Sequence, residues 1–244
     1  MIIDAHMHLG ALNSALKLLS SLKDKNLTIL SSAITLSNAK EQLELVKDNP
    51  FVKLFVGIHP WYSDESISDF DSTLDQLLSD SRIFGIGECG LDSFCSVPFD
   101  IQLNTFKRQL LKACEYSKPL CLHVRGLHND VIECLKKYKG SVTGIVHGFN
   151  SSVQIAKEYR KLGFYLSFGH QTLKPSKKML EVIDSIGPDG IVLETDYEEK
   201  SSSEYDFDAI KSYYQKLCEI THVEYESLEN IISNNINSIL EISR

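Results

Sequence analysis

Six side chains in this 244-residue chain are of types and at positions that could hold metal ions together. The opening segment, "MIIDAHMHLG", puts His6 and His8 two positions apart after an apolar run, with Asp4 just ahead of them. Alternate residues of a strand point to one side, so these imidazoles can reach the same ion. Further along stand Glu88 in "IFGIGE", His123 in "PLCLHV", His147 in "VTGIVHG" and Asp196 in "GIVLETD". Imidazole suits zinc, manganese and related cations, and carboxylates balance their charge. Glu88 carries two oxygens and can bridge two cations, which leaves His123 and His147 to serve a second ion. Any one of these residues alone is an ordinary core or helix-capping side chain. Their joint placement carries the argument, since four of the eight histidines fall among these six positions.

The elements that must bring them together alternate along the chain. Short apolar runs read as strands: "MIIDAH", "LTILSSA", "VKLFVGIHP", "IFGIGE", "PLCLHV", "VTGIVHG", "FYLSFG" and "GIVLETD". Patterns of helical period lie between them, such as "FDIQLNTFKRQLLKACEYS" and "DVIECLKKY". "FDAIKSYYQKLCEI" and "YESLENIISNNINSILEI" read as two closing helices. Strand–helix alternation predicts a parallel sheet covered by helices. Eight such strands favour an α/β fold, a single (β/α)8 TIM-type barrel over residues 1–244, against an open doubly wound sheet. All six candidate ligands then fall at the carboxyl ends of five strands, the rim where barrel enzymes assemble their sites. The one linker-like stretch, "EEKSSSEYD" at 198–206, is expected to be a surface loop.

Composition narrows the function. A net charge of −8 argues against a broad basic track for duplex nucleic acid but leaves room for phosphate held through cations. The run "MII" passes straight into Asp4, so no secretory signal is expected. No apolar run approaches the roughly 18 residues of a membrane span. Six scattered cysteines without a CxxC pair read as reduced thiols, and the cytoplasm is the expected compartment.

Seven stretches resemble the TatD-like deoxyribonuclease family of the wider amidohydrolase-type barrels. They are "DAHMHL" (4–9), "GIHPW" (57–61), "GECGLD" (87–92), "QLNTFKRQLLKA" (102–113), "PLCLHVR" (119–125), "HGFN" (147–150) and "LETD" (193–196), in the family's order. The resemblance implies one cation held by His6, His8, Glu88 and Asp196 and another by Glu88, His123 and His147. It further implies divalent-metal hydrolysis of DNA phosphodiester bonds. The lip after "ETD" departs from the family, which usually carries Pro and an Arg-Asn pair there. Here Glu198, Glu199, Glu204, Asp206 and Asp208 make it acidic.

The expected chemistry uses two divalent cations, zinc, manganese or magnesium, roughly 3.5–4 Å apart, activating a water and polarising the substrate together. Asp196 is the candidate general base, and Glu88 fixes the spacing. Arg125 and His59 are candidate substrate contacts, with Trp61 and Tyr62 possible stacking partners for a base. Asp92 is expected to orient a ligand or brace a loop, Lys174 to be solvated, and Cys89 to pack behind its strand. DNA, as single strands or ends, is the first substrate expected. A small ester, lactone or amide is the second, and a barrel that only binds is the third. A monomer without a protein partner is expected.

Overall fold

The computed structural model of the chain describes residues 1–9, 12–64, 69–197 and 204–241. Among these, eight parallel strands pair in chain order: β1 (Ile2–Met7), β2 (Leu27–Ser32), β3 (Val52–Val56), β4 (Ile83–Asp92), β5 (Leu120–Arg125), β6 (Gly144–Val146), β7 (Phe164–Phe168) and β8 (Ile191–Leu193). The ring closes at the rim, where Asp196 N–H donates to the His6 carbonyl at 3.0 Å and His8 N–H to the Tyr197 carbonyl at 2.8 Å. This is the expected TIM-type barrel.

Each strand is buried on both faces, which is why the strands read as near-continuous apolar runs. Ile3, Ala5, Leu30, Phe55, Cys121, Ile145 and Val192 fill the interior. Helices α1 (Leu12–Lys25), α2 (Leu36–Val46), α3 (Phe70–Leu78), α4 (Phe99–Glu115), α5 (His128–Lys136), α6 (Val153–Lys161) and α7 (Lys177–Ile186) follow the first seven strands and cover the outside. Thr35, Ser152 and Ser176 cap α2, α6 and α7 by accepting from backbone N–H groups three residues on. The closing helices α8 (Phe207–Thr221) and α9 (Tyr225–Glu241) form where the helical period places them. Tyr214 of α8 binds the backbone N–H and carbonyl of Ile3, both at 3.1 Å, and Ile236 and Ile239 of α9 pack on the interior residues.

Two strands change register where they carry candidate ligands. β1 shifts against β2 between Asp4 and Met7, and β4 shifts against β5 between Ile86 and Cys89. Such irregularities re-aim side chains beside active sites. In β1 the effect is specific: Ile3 and Ala5 belong to the interior cluster, whereas Met7 packs outside. His6 therefore joins the inner side one residue after Ala5, and Asp4 is left facing away from the histidines.

Candidate metal centre

Glu88 sits at the middle of the site, 2% exposed, with each carboxylate oxygen facing its own set of imidazoles. Its Oε2 lies 3.4 Å from His6 Nε2 and 3.2 Å from His8 Nε2. Its Oε1 lies 2.8 Å from both His123 Nδ1 and His147 Nε2. Asp196 closes the first group, its Oδ1 3.5 Å from His6 Nε2 and 3.8 Å from His8 Nε2. All six expected ligands thus converge at one place. Glu88 is not the last residue of its strand, as the sequence suggested; β4 runs on to Asp92. Asp196 lies three residues past β8, in the left-handed region at φ 50°.

The outward-facing nitrogens decide whether the cluster fits cations. His8 Nδ1 lies 2.8 Å from the Ser32 carbonyl and must donate to it, which leaves the Nε2 lone pair directed inward. His6 Nδ1 is taken up by Cys121 Sγ at 3.2 Å and Ser32 Oγ at 3.3 Å. The inward Nε2 atoms of His6 and His8 lie 3.2 Å apart. A proton on His6 Nε2 lets it donate to His8 there, and a cation within reach of both lone pairs would take that proton's place. Across the site, His123 Nε2 donates to Asp92 Oδ2 at 3.0 Å, so in the neutral ring the Nδ1 lone pair is left on the Glu88 side, free to ligate a cation. A mixed set of imidazoles and carboxylates, oriented by such partners, fits divalent cations such as zinc or manganese.

Charge follows the same pattern. Burial works against ionising Glu88, but His147 and His6 beside it outweigh that and hold its carboxyl well below the usual range. Burial also disfavours charge on His6, His123 and His147, yet Glu88 and their other acidic neighbours raise all three. Asp196 is held down to about 2, because His6 and His147 override its partial burial. In the metal-free protein the three raised imidazoles thus keep their protons above the ordinary value of 6.5. That contribution to stability is complete below 6.5 and disappears as pH rises through the raised values. A cation requires the unprotonated rings, so its uptake at pH 7 is expected to release protons and its affinity to climb with pH. Calorimetric titration with zinc in two buffers of different ionisation enthalpy measures this; buffer-independent heats at pH 7 would refute it.

Several residues that position the ligands gave no such signal in the sequence. Asp4 accepts from Thr195 N–H at 2.9 Å, Thr195 Oγ1 at 2.6 Å and Tyr205 Oη at 2.7 Å, tying β1 to the turn that carries Asp196. Burial pushes Asp4 up to about 6 despite these bonds. Glu194 accepts from Gly148 N–H at 2.7 Å and stands 3.6 Å from His147 Nδ1; that nitrogen and Glu194 Oε2 are buried without hydrogen-bond partners. Two glutamines one heptad apart on α4 reach the rim. Gln102 binds the Asp92 N–H and carbonyl, and Gln109 binds the Ile58 N–H and carbonyl next to His59. Both lie in the stretch "QLNTFKRQLLKA" that resembles the family, but the sequence showed no partner for either.

Asp92 does orient a ligand. Besides His123, it accepts from Trp61 Nε1 at 2.8 Å and Phe94 N–H at 2.8 Å, and His123 with these donors keeps it far below the carboxylate range despite burial. Asp92→Asn is expected to weaken metal affinity about 10- to 100-fold, the usual effect of losing such a partner. Competition with a chromophoric chelator measures it, and unchanged affinity would show that His123 needs no orienting carboxylate.

A cavity of about 1130 Å³ opens above the ligands. His59 lines it, with Nδ1 accepting from Trp61 N–H at 3.2 Å and Nε2 3.4 Å from Glu88 Oε1. Burial lowers its pKa, which favours the neutral ring; with Nδ1 accepting from Trp61, Nε2–H faces Glu88 Oε1, and with Glu88 and His123 this ring also forms a group whose atoms lie close enough to hold a cation. Arg125, Trp61 and Tyr62 also line the cavity. Lys174 does not, and Cys89 is buried in the outer core as expected. Of the acidic lip, Glu198 and Glu199 lie outside the described residues. Glu204 pairs with Lys17 at 2.6 Å, Asp206 caps α8, and Asp208 stands in its first turn.

A closed barrel with this constellation on its carboxyl rim defines the class of metal-dependent hydrolases. Within that class the chain belongs to the TatD-related DNase family, whose model matches residues 3–241. It is 27% identical to the metal-dependent hydrolase YabD of Bacillus subtilis, across the full length of both chains. Its identity to Deoxyribonuclease Tat-D of Schizosaccharomyces pombe is 30%, over 65% of this chain and 55% of that one. The crystal structure of YjjV, a TatD homologue from Escherichia coli, superposes with a TM-score of 0.87 at 24% identity, covering 98% of each chain.

Proposed function

We propose that this chain hydrolyses phosphodiester bonds in DNA, at single strands or exposed ends, with two divalent cations shared through Glu88. The observation that carries this reading is the division of Glu88, Oε2 towards His6 and His8, Oε1 towards His123 and His147. The DNase family match and the deoxyribonuclease relative support DNA as the substrate. Bound cations would supply Lewis acidity and lower the pKa of a bound water to about 7.

The chain's own residues do the rest. His6, His8, Glu88 and Asp196 hold one cation, and Glu88, His123 and His147 hold the other. Asp196, ionised at neutral pH and half exposed to the mouth, accepts or relays the proton of the attacking water. His59 donates Nε2–H to a substrate oxygen, and Arg125, at the rim, pairs with a phosphate oxygen. The proposed unit is the single domain 1–244, acting as a cytoplasmic monomer. All six cysteines are free thiols, as a reducing compartment requires, and no helix among the described residues is long and apolar enough to cross a membrane.

The acidic residues after β8 favour a second reading, in which the same centre hydrolyses a small ester, lactone or amide. The test sets purified, metal-loaded protein against a fluorescent single-stranded oligonucleotide and a panel of small esters. Nucleotide release that disappears in Glu88→Ala is expected. Ester turnover beside inert DNA would replace the first reading with the second, and silence on both would leave a binding module.

A further inference from the structure

Two large apolar side chains stand in solvent at the mouth of the cavity. Phe94 is 73% exposed and Trp61 45% exposed. Single exposed apolar residues are unremarkable on a protein surface. These two are different because one buried carboxylate sets both: Asp92 accepts from the Trp61 indole N–H through Oδ2 and from the Phe94 backbone N–H through Oδ1. Asp92 Oδ2 also accepts from His123 Nε2 and lies 3.8 Å from Arg125 Nη1. The Arg125 guanidinium in turn rests 5.0 Å from the centre of the Phe94 ring. On the other side, the Trp61 ring is 6.4 Å from that of His123, edge to face. One buried carboxylate therefore links a candidate metal-ligating imidazole, the Trp61 indole, the Arg125 guanidinium and the backbone from which the Phe94 ring projects.

We propose that Phe94 and Trp61 form a shelf that stacks one unpaired nucleobase beside the bond being cut, with Arg125 next to it for the phosphate, an inference that rests on the phosphodiesterase reading above. Every base offers a π face, so stacking binds without selecting sequence. A base inside a duplex is already stacked and cannot reach such a shelf without being extruded. The shelf thus selects single strands and frayed ends, and it grips substrate without the basic track that a net charge of −8 denies this chain. Its anchor on Asp92 keeps the base in register with the cations, so binding energy from the base also aligns the phosphate.

The test compares metal-loaded protein on two fluorescent single-stranded oligonucleotides, one intact and one with abasic residues at the end being cut. Wild type is expected to prefer the intact strand about tenfold in kcat/KM, the scale of one stacked base. Phe94→Ala, which opens no core because the ring is exposed, should bring that ratio to within about twofold of one. Phe94→Trp should restore it. Trp61 is the sole tryptophan, so its emission reports stacking directly. Titration with a cleavage-resistant phosphorothioate strand should quench it, and the abasic counterpart should not. Equal cleavage of both strands by wild type, or an equal loss on both in Phe94→Ala, overturns the shelf and leaves the phosphodiesterase reading standing. Inertness on both strands overturns the two together.

Discussion

Glu88→Gln is expected to reduce metal-dependent turnover by about a thousandfold or more, the scale of several kcal/mol of lost Lewis-acid stabilisation. The amide keeps the carboxylate's shape, so the barrel and its cavity persist. What it loses is the symmetry of the bridge. Glu88 offers lone pairs to His6 and His8 through one oxygen and to His123 and His147 through the other. Glutamine can do this on one side only and turns an N–H2 donor towards the other. The negative charge that offsets part of the cations' charge is lost as well. Metal analysis of the dialysed variant should therefore find at least one cation fewer than in wild type, with an unchanged circular dichroism spectrum. Full occupancy and full activity in Glu88→Gln would refute a bridging role.

Asp196→Asn is expected to lower kcat by about 100- to 10,000-fold, the range for removing a group that takes a proton in the transition state. Asparagine isolates the charge unusually well here. Asp196 has φ 50°, a conformation that asparagine adopts more readily than most residues, so the turn after β8 is preserved. Alanine at the same position would add backbone strain to the chemical loss. His6 and His147 hold the native carboxyl down to about 2, so it is ionised throughout the neutral range and the comparison is between a charged and a neutral oxygen donor. Single-turnover kinetics at saturating metal separate the outcomes. A fall in kcat that excess metal does not repair supports a part in proton transfer; complete rescue by metal would reduce Asp196 to a ligand.

The lip after β8 shows how structure can change the meaning of a sequence feature. Five acids within the eleven residues 198–208 look hostile to a polyanion. Two of them serve local structure, Glu204 in an ion pair with Lys17 and Asp206 as the cap of α8. Tyr205 between them turns inward to Asp4. Their charge is at least partly spent on the fold.

The sequence by itself determined the barrel and singled out the six candidate ligands that the structure brings together. Eight apolar runs at regular spacing permit few architectures, because parallel strands buried on both faces must be covered by the helices between them. The six ligands were legible because histidine and acid are costly in strands unless partnered, and all of them fell at the same end. Tertiary structure decided which atoms face which. The alternation of "DAHMH" puts Asp4, His6 and His8 on one face, yet the register shift in β1 sends Asp4 away to Thr195 and Tyr205. The bracing by Gln102, Gln109 and Glu194 was equally hidden, since a polar residue in a buried position shows no partner in one dimension. Local periodicity fixes the strands, but hydrogen bonds between residues 201 apart, as Asp4 and Tyr205, or 211 apart, as Ile3 and Tyr214, exist only once the ring has closed.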